Sequence, residues 1–268
     1  MKLLILSLLL GVFPCLYAVN NLRLPDMRSM GMGECAVTQS YLFNPALIGL
    51  SSYQSIDINY FNRYGLKELG IINFSFSYPN KTLPIGVNIS SFGYDRHRES
   101  MFRLFLGRSL NEKWSIGVSI QYSIIQTELT EEHPQRLSTD VGISYSPVEK
   151  LLIGMLIMDF PSVAVKKEST EIDSFTGYSL QIGFQWEVIN SLLITGNMET
   201  NKQVTLTGSV GLEYQLYKQF YVRAGMKAIP LLPTIGVGYC FLGFTVDVAT
   251  VYHPVLGIST GIGLKYSF

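Results

Sequence analysis

From about Ser52 to Phe268, apolar side chains alternate with small or polar ones in runs of some ten residues, each followed by a turn. In the run 114–123, Trp114, Ile116, Val118, Ile120 and Tyr122 share one face, while Ser115, Gly117, Ser119, Gln121 and Ser123 share the other. The runs 178–188, 204–216 and 256–268 have the same form. A period of two specifies strands with one face against an apolar medium. Turn signals such as "YPNKTLP", "LNEK", "SPVEK" and "IPLLP" divide the chain into about fourteen such strands. An even number lets an antiparallel sheet close on itself with both ends on the same side.

The chemistry of the two faces decides what kind of sheet this is. In a soluble sandwich the outward face carries Lys, Glu and Thr and the inward face is apolar. Here the polar face is Gly, Ser, Thr, Asn and Gln with scattered charges, and the apolar face gathers aromatics near the ends of the runs. A crowded aqueous interior and a bilayer-facing exterior with aromatic girdles have that pattern. The expected fold is all-β: a transmembrane antiparallel β-barrel of about fourteen strands over residues 52–268, with a short helical plug segment before it.

Composition agrees with this reading. Charged residues make up only 15% of the 268, the formal net charge is +0 and the pI is about 6.8, whereas soluble domains carry about a quarter charged residues. The absence of a basic field excludes nucleic acid as the expected partner. Residues 1–18, "MKLLILSLLLGVFPCLYA", join a basic Lys2 to a short apolar run ending at Ala18, the pattern of a secretory signal peptide. A lipid-anchored alternative through Cys15 is disfavoured by the bulky Phe13 and Pro14 before it. No later stretch approaches the ~20 uninterrupted apolar residues of a helical span.

The stretch "YLFNPALIGLS", residues 41–51, interrupts the strand pattern with a helix start: Asn44 suits the N-cap, Pro45 the first helical position and Gly49 the stop. At the other end, Phe268 is terminal and follows Ile262, Leu264 and Tyr266 at a spacing of two. Tyr266 and Phe268 thereby resemble the signal by which outer-membrane barrels are recognised for assembly. That implies the barrel assembly machinery and outer-membrane lipid as partners, and a Gram-negative outer membrane as location.

The segment "MRSMGMGECAVTQSYLFNPALIGL", residues 27–50, resembles the N-terminal signature of the FadL-like barrel superfamily. That group comprises long-chain fatty-acid and aromatic-hydrocarbon channels and the PorV/PorQ proteins of type IX secretion in Bacteroidota. Gly31, Met32 and Gly33 match its Gly-x-Gly, and Asn44, Pro45, Ala46 and Leu47 match its Asn-Pro-Ala motif, with Ile48 departing from it. The terminal "YHPVLGISTGIGLKYSF" is similar to the closing strands of the PorV/PorQ side. The resemblance implies that residues 19–51 sit in or under the lumen as a plug, with Gly31, Gly33, Asn44, Pro45 and Ala46 as ligand or gating positions. Two functions follow from it. One is a docking scaffold for secreted or surface proteins, PorV/PorQ-like; the other is a channel for hydrophobic or small solutes gated by the N-terminal segment. A purely structural anchor is the third possibility, and a monomeric barrel is expected in every case. The shortness of the chain argues against the large loops of a fatty-acid channel.

Little chemistry competes with these readings. His97, His133 and His253 show no His-x-x-x-His spacing, there is no Cys-x-x-Cys, and no Gly-x-Ser-x-Gly elbow marks a nucleophile. No metal, no cofactor and no enzymatic activity are expected. Inward-facing charges of both signs, among them Asp57, Arg103, Asp140, Glu213, Arg223, Asp247 and Lys265, suit mutual pairing across a lumen. Cys240 alternates with the apolar Tyr239 and Phe241 and so faces inward. In an oxidising periplasm, a Cys35–Cys240 disulfide tethering plug to wall is one expectation, and two unrelated small core residues the other.

Overall fold

The alternation becomes one antiparallel sheet of β1 (Ser55–Asn62), β2 (Gly70–Tyr78), β3 (Ile85–Tyr94), β4 (His97–Ser109), β5 (Trp114–Thr127), β6 (Gln135–Val148), β7 (Leu151–Met158), β8 (Ser162–Lys166), β9 (Ser179–Ile189), β10 (Leu192–Asn201), β11 (Leu206–Tyr217), β12 (Phe220–Lys227), β13 (Leu232–Phe241), β14 (Phe244–His253) and β15 (Gly257–Ser267). The computed structural model describes residues 22–128, 133–166, 178–201 and 206–268; the signal peptide expected over residues 1–18 lies outside the described residues. The sheet closes where β1 returns to β15, in register from Ser55↔Ser267 to Asn62↔Thr260. β7 and β8 both pair with β6, the first along Val141–Val148 and the second along Gln135–Ser138, so they are two halves of one wall strand and the barrel has fourteen.

That wall strand is broken between its halves. From Val141↔Ile157 to Ser138↔Ser162, β6 contributes Thr139 and Asp140 while the partner contributes Met158 to Pro161. Asp159 takes up the surplus with φ at +56°. Thr139 holds the loop through its backbone, accepting from Phe160 N at 2.8 Å and donating to Pro161 O at 3.1 Å, and Asp140 accepts from Asp159 N at 2.9 Å. β9 follows β7 only as far as Met158↔Ser179, so among the described residues β8 has no second strand beside it.

Both barrel termini lie at one end, the near end, where β9–β10, β11–β12 and β13–β14 turn over two residues each. Outside, near that end, Trp114 stacks on Tyr145 with centroids 4.3 Å apart, and Phe244, Tyr266 and Phe268 stack in series at 4.5 and 5.5 Å. Tyr266 and Phe268 thus form part of an exterior aromatic cluster, and Phe268 N donates to Gln54 O, tying the last residue beside the first strand. Inside, the small and polar face is buried: Asn73, Asn88, Ser119, Gln121 and Asp140 are almost wholly removed from solvent. What removes them is the segment before β1.

Candidate functional site

Residues 22–50 lie within the lumen, with Met27, Met32, Ala36, Ala46 and Ile48 fully buried. A short helix, α1 (Met27–Gly31), is capped by Asp26, whose carboxylate accepts from Ser29 N at 2.8 Å. The Asn44-Pro45 start opens a 3-10 helix, Pro45–Leu50, capped by Asn44 Oδ1 accepting from Ala46 N at 3.1 Å. Gly49 does not stop it; the helix runs on to Leu50 and closes with Ser51 N donating to Ile48 O. Asn44 also donates through Nδ2 to Val37 O at 3.0 Å, so its side chain fixes the turn from both sides.

The inward glycines are seats for this segment. Gly107, Gly117 and Gly142 face one another across β4, β5 and β6, and the Pro45 backbone and the Asn44 side chain lie in the groove they leave. A Cβ on Gly107 would stand 2.6 Å from the Pro45 carbonyl oxygen. Gly154 and Gly183, opposite each other on β7 and β9, receive Val37; Gly211 and Gly225, opposite each other on β11 and β12, receive Met32 and Gly33. Gly31 packs on Gly236 of β13, where a Cβ on either would stand 3.0 Å from the other's Cα, and Thr234 there accepts from Gly33 N at 2.8 Å and donates to Gly31 O at 3.0 Å. Hence Gly31, Gly33, Asn44, Pro45 and Ala46 all lie against the wall, but at different places around it.

Charge fastens the same segment. Arg28 makes a two-pronged pair with Glu213, 2.8 Å from Nε and 2.7 Å from the terminal nitrogen. Burial alone would lower the Arg28 pKa; the Glu213 charge and hydrogen bonds outweigh it, and the guanidinium stays charged. Arg223 joins Glu213 to Asp247 at 2.6 Å each. Glu34 pairs with Lys227 at 2.5 Å, and Gln39 donates to Gln185 at 2.8 Å. Arg23 donates to Gln121, Asp140 and Asp159 at 2.8–2.9 Å, while Asp140 also pairs with Arg103 at 2.7 Å. The residue that carries the break in the wall is therefore a ligand of the plug.

Away from the termini the lumen changes character. Leu22, Leu24, Met27 and Met30 of the segment pack on Phe61, Ile71, Phe92, Met101, Ala249 and Val251 of the wall, all of them buried. The alternation predicted a polar interior throughout; the inward positions of β1 in fact run Ser55, Asp57, Asn59, Phe61, turning apolar at the far end. On the near-end side a cavity of about 360 Å³ separates the segment from β1 and β11–β15, and its walls bear both signs of charge, including Asp26, Asp57, Asp247, Arg28, Arg223 and Lys265.

The two cysteines do not meet, so of the two expectations the Cys35–Cys240 disulfide is corrected and the separate residues stand. Cys35 lies 3.2 Å from Ser209 Oγ on β11, whereas Cys240 sits at the near end of β13, 3.4 Å from Thr245 Oγ1. Both thiols are free. Burial pushes the Cys35 thiol up to about 11. Of the histidines, His253 accepts from Val255 N and Leu256 N at 3.1 Å, a turn-forming role, and His97 pairs with Glu99 at 3.1 Å. Among the described residues no His, Cys, Asp and Glu are grouped to hold a metal ion.

No protein-family model and no curated protein matches the sequence. Solved structures do match the fold. The toluene transporter TodX of Pseudomonas putida superimposes with a TM-score of 0.63 at 11% identity, over 93% of this chain and 99% of that one. A FadL homologue of Pseudomonas aeruginosa gives 0.58 at 10% identity, over 92% and 98%. A TodX monoaromatic hydrocarbon channel variant gives 0.62 at 10% identity, over 90% and 98%. At such identities the likeness is one of architecture: this chain shares the barrel fold of those structures.

Proposed function

We propose that the protein is an outer-membrane channel for an apolar solute, and that its own residues 22–26 occupy the solute's place in the resting state. The observation that carries this reading is the apolar cluster inside the far half of the lumen. A barrel interior that served only water and ions would be polar there. Instead, wall residues Phe61, Ile71, Phe92 and Met101 converge on Leu22 and Leu24, and methionine adapts its shape to whatever it packs against. The architecture shared with a toluene transporter and a FadL homologue supports the same reading.

On this proposal Gly31, Gly33, Asn44, Pro45 and Ala46 form the fixed base of the gate, because each is seated on the wall, and the moving part is the stretch before Met27. The near end faces the periplasm, as the end with the termini and short turns does in bacterial barrels. The break at Asp159, where among the described residues β8 has no second strand beside it, offers a lateral exit.

The test is saturable binding of a fluorescent apolar probe to the protein in lipid nanodiscs, measured against empty discs. Saturation that is lost in Phe92→Glu supports the channel; binding no greater than to empty discs ends it. A docking platform, the other reading, draws support from the filled lumen. It would show as a stoichiometric protein partner retained through purification from native membranes.

A further inference from the structure

We infer that the N-terminal segment has a second role, as the template on which the barrel is laid down and closed. The glycine seats it occupies run around the wall in reverse chain order. Ile48 meets Gly86 on β3 and Gly107 on β4, and Pro45 meets Gly117 and Gly142 on β5 and β6. Val37 follows on β7 and β9, Met32 and Gly33 on β11 and β12, Gly31 on β13, and Met27 on Gly261 and Gly263 of β15. Among the glycine seats the order is unbroken, from β3 at the segment's C-terminal end to β15 at Met27, while the stretch before Met27 crosses back to β2, β5 and β6 through Leu24 and Arg23. A sheet growing hairpin by hairpin meets these seats one after another, so each strand adds only a small loop to close.

The strands also need the segment. Glycine weakens a strand because it has no side chain to pack, and Gly107, Gly117 and Gly142 stand in a row across three strands. With Pro45 absent, that row has nothing to hold it on the inner face.

The far end of the segment lies on the seam. Most wall pairs join strands adjacent in the chain; β1 and β15 bring Ser55 to Ser267. Met27 sits across that junction: its thioether lies over Gly261 beside Phe61 of β1, and its Cβ and Cγ lie over Gly263 beside Asn59. The residue that completes the series of seats is thus the one that spans the first and last strands.

Refolding of the protein from urea into phosphatidylcholine vesicles, followed by the fluorescence of Trp114 and Trp186 and by gel mobility, tests this without reference to transport. Met27→Ala, Val37→Ala and Ile48→Val remove contacts without creating clashes, and Ile48→Val remains measurable if the larger truncations fail to refold. The expected result is a folding rate reduced by the same several-fold factor as the folding equilibrium constant, with unfolding rates within about twofold of wild type. Gly208→Ala, where an added Cβ meets nothing nearer than 3.8 Å, folds as wild type does. Unchanged folding rates with faster unfolding would mean that the segment enters a finished barrel, and the inference falls. No change in either rate overturns it as well.

Discussion

Pro45 lies across Gly117 so closely that a Cβ on the glycine would overlap the proline's carbonyl group, and the cross-strand partners of Gly117, Gly107 and Gly142, shape the rest of the groove. In an ordinary strand, glycine to alanine is neutral or mildly stabilising, because the unfolded chain loses freedom. Here Gly117→Ala overpacks the seat and is expected to cost about 1–3 kcal/mol. Urea titration in vesicles, scored by gel mobility, measures it; a Gly117→Ala barrel as stable as wild type would show that the segment is not held at this seat.

Asp140 is fully buried and shared by Arg23 of the segment and Arg103 of the wall. Asp140→Asn leaves two buried guanidinium groups short of a partner and is expected to destabilise by about 3–5 kcal/mol. Arg23→Gln is milder, about 1–3 kcal/mol, because Asp140 keeps Arg103 and Asp159 keeps Arg136. The same titration ranks the two, and the reverse order would contradict the shared-carboxylate arrangement.

If residues 22–26 stand in for a solute, shrinking them helps the solute bind. Leu22→Ala with Leu24→Ala is expected to tighten apolar-probe binding several-fold, since each removes a competitor worth about 1 kcal/mol or more. Phe61→Ala, which removes wall, weakens it. A double variant that binds probe less well than wild type would place the leucines in the binding surface rather than in the solute's position.

Cys35 is buried and its thiol is held up at about 11. The thiolate is the reactive form, so at pH 8 iodoacetamide should modify Cys240, which borders the near-end cavity, well before Cys35. The sign of the linkage follows: the fold binds the Cys35 proton more tightly than the unfolded chain does. Its contribution to stability is therefore intact below the ordinary thiol range and is lost as pH rises through about 11. Peptide mass mapping of folded and urea-unfolded protein checks the order of labelling, and equal rates at the two cysteines in the folded state would refute it. Intact mass is expected to be the same with and without reductant.

Much of the wall was legible residue by residue. In a closed sheet facing a bilayer, every side chain is either out or in, so the period of two reports the strands and both faces at once. The Asn44-Pro45 helix start was equally visible, because capping is local chemistry. α1 escaped notice: five residues carry no period, and the only trace was Asp26 set three before Ser29. The break at Asp159 also left no mark, since it depends on how many residues β6 offers opposite it.

The amino-acid sequence by itself determined that this chain is a barrel, which face of each strand is the apolar outer one, and where the segment before the first strand turns into it. These are consequences of neighbours one or two residues apart. Only the tertiary structure decided what the inward residues are for. Register, set by turns and by closure of β15 on β1, aligns glycines into seats and separates Cys35 from Cys240. The winding of the segment then brings Arg28 to Glu213 and Arg23 to Asp140 and Asp159, contacts spanning more than a hundred residues that no local pattern can encode.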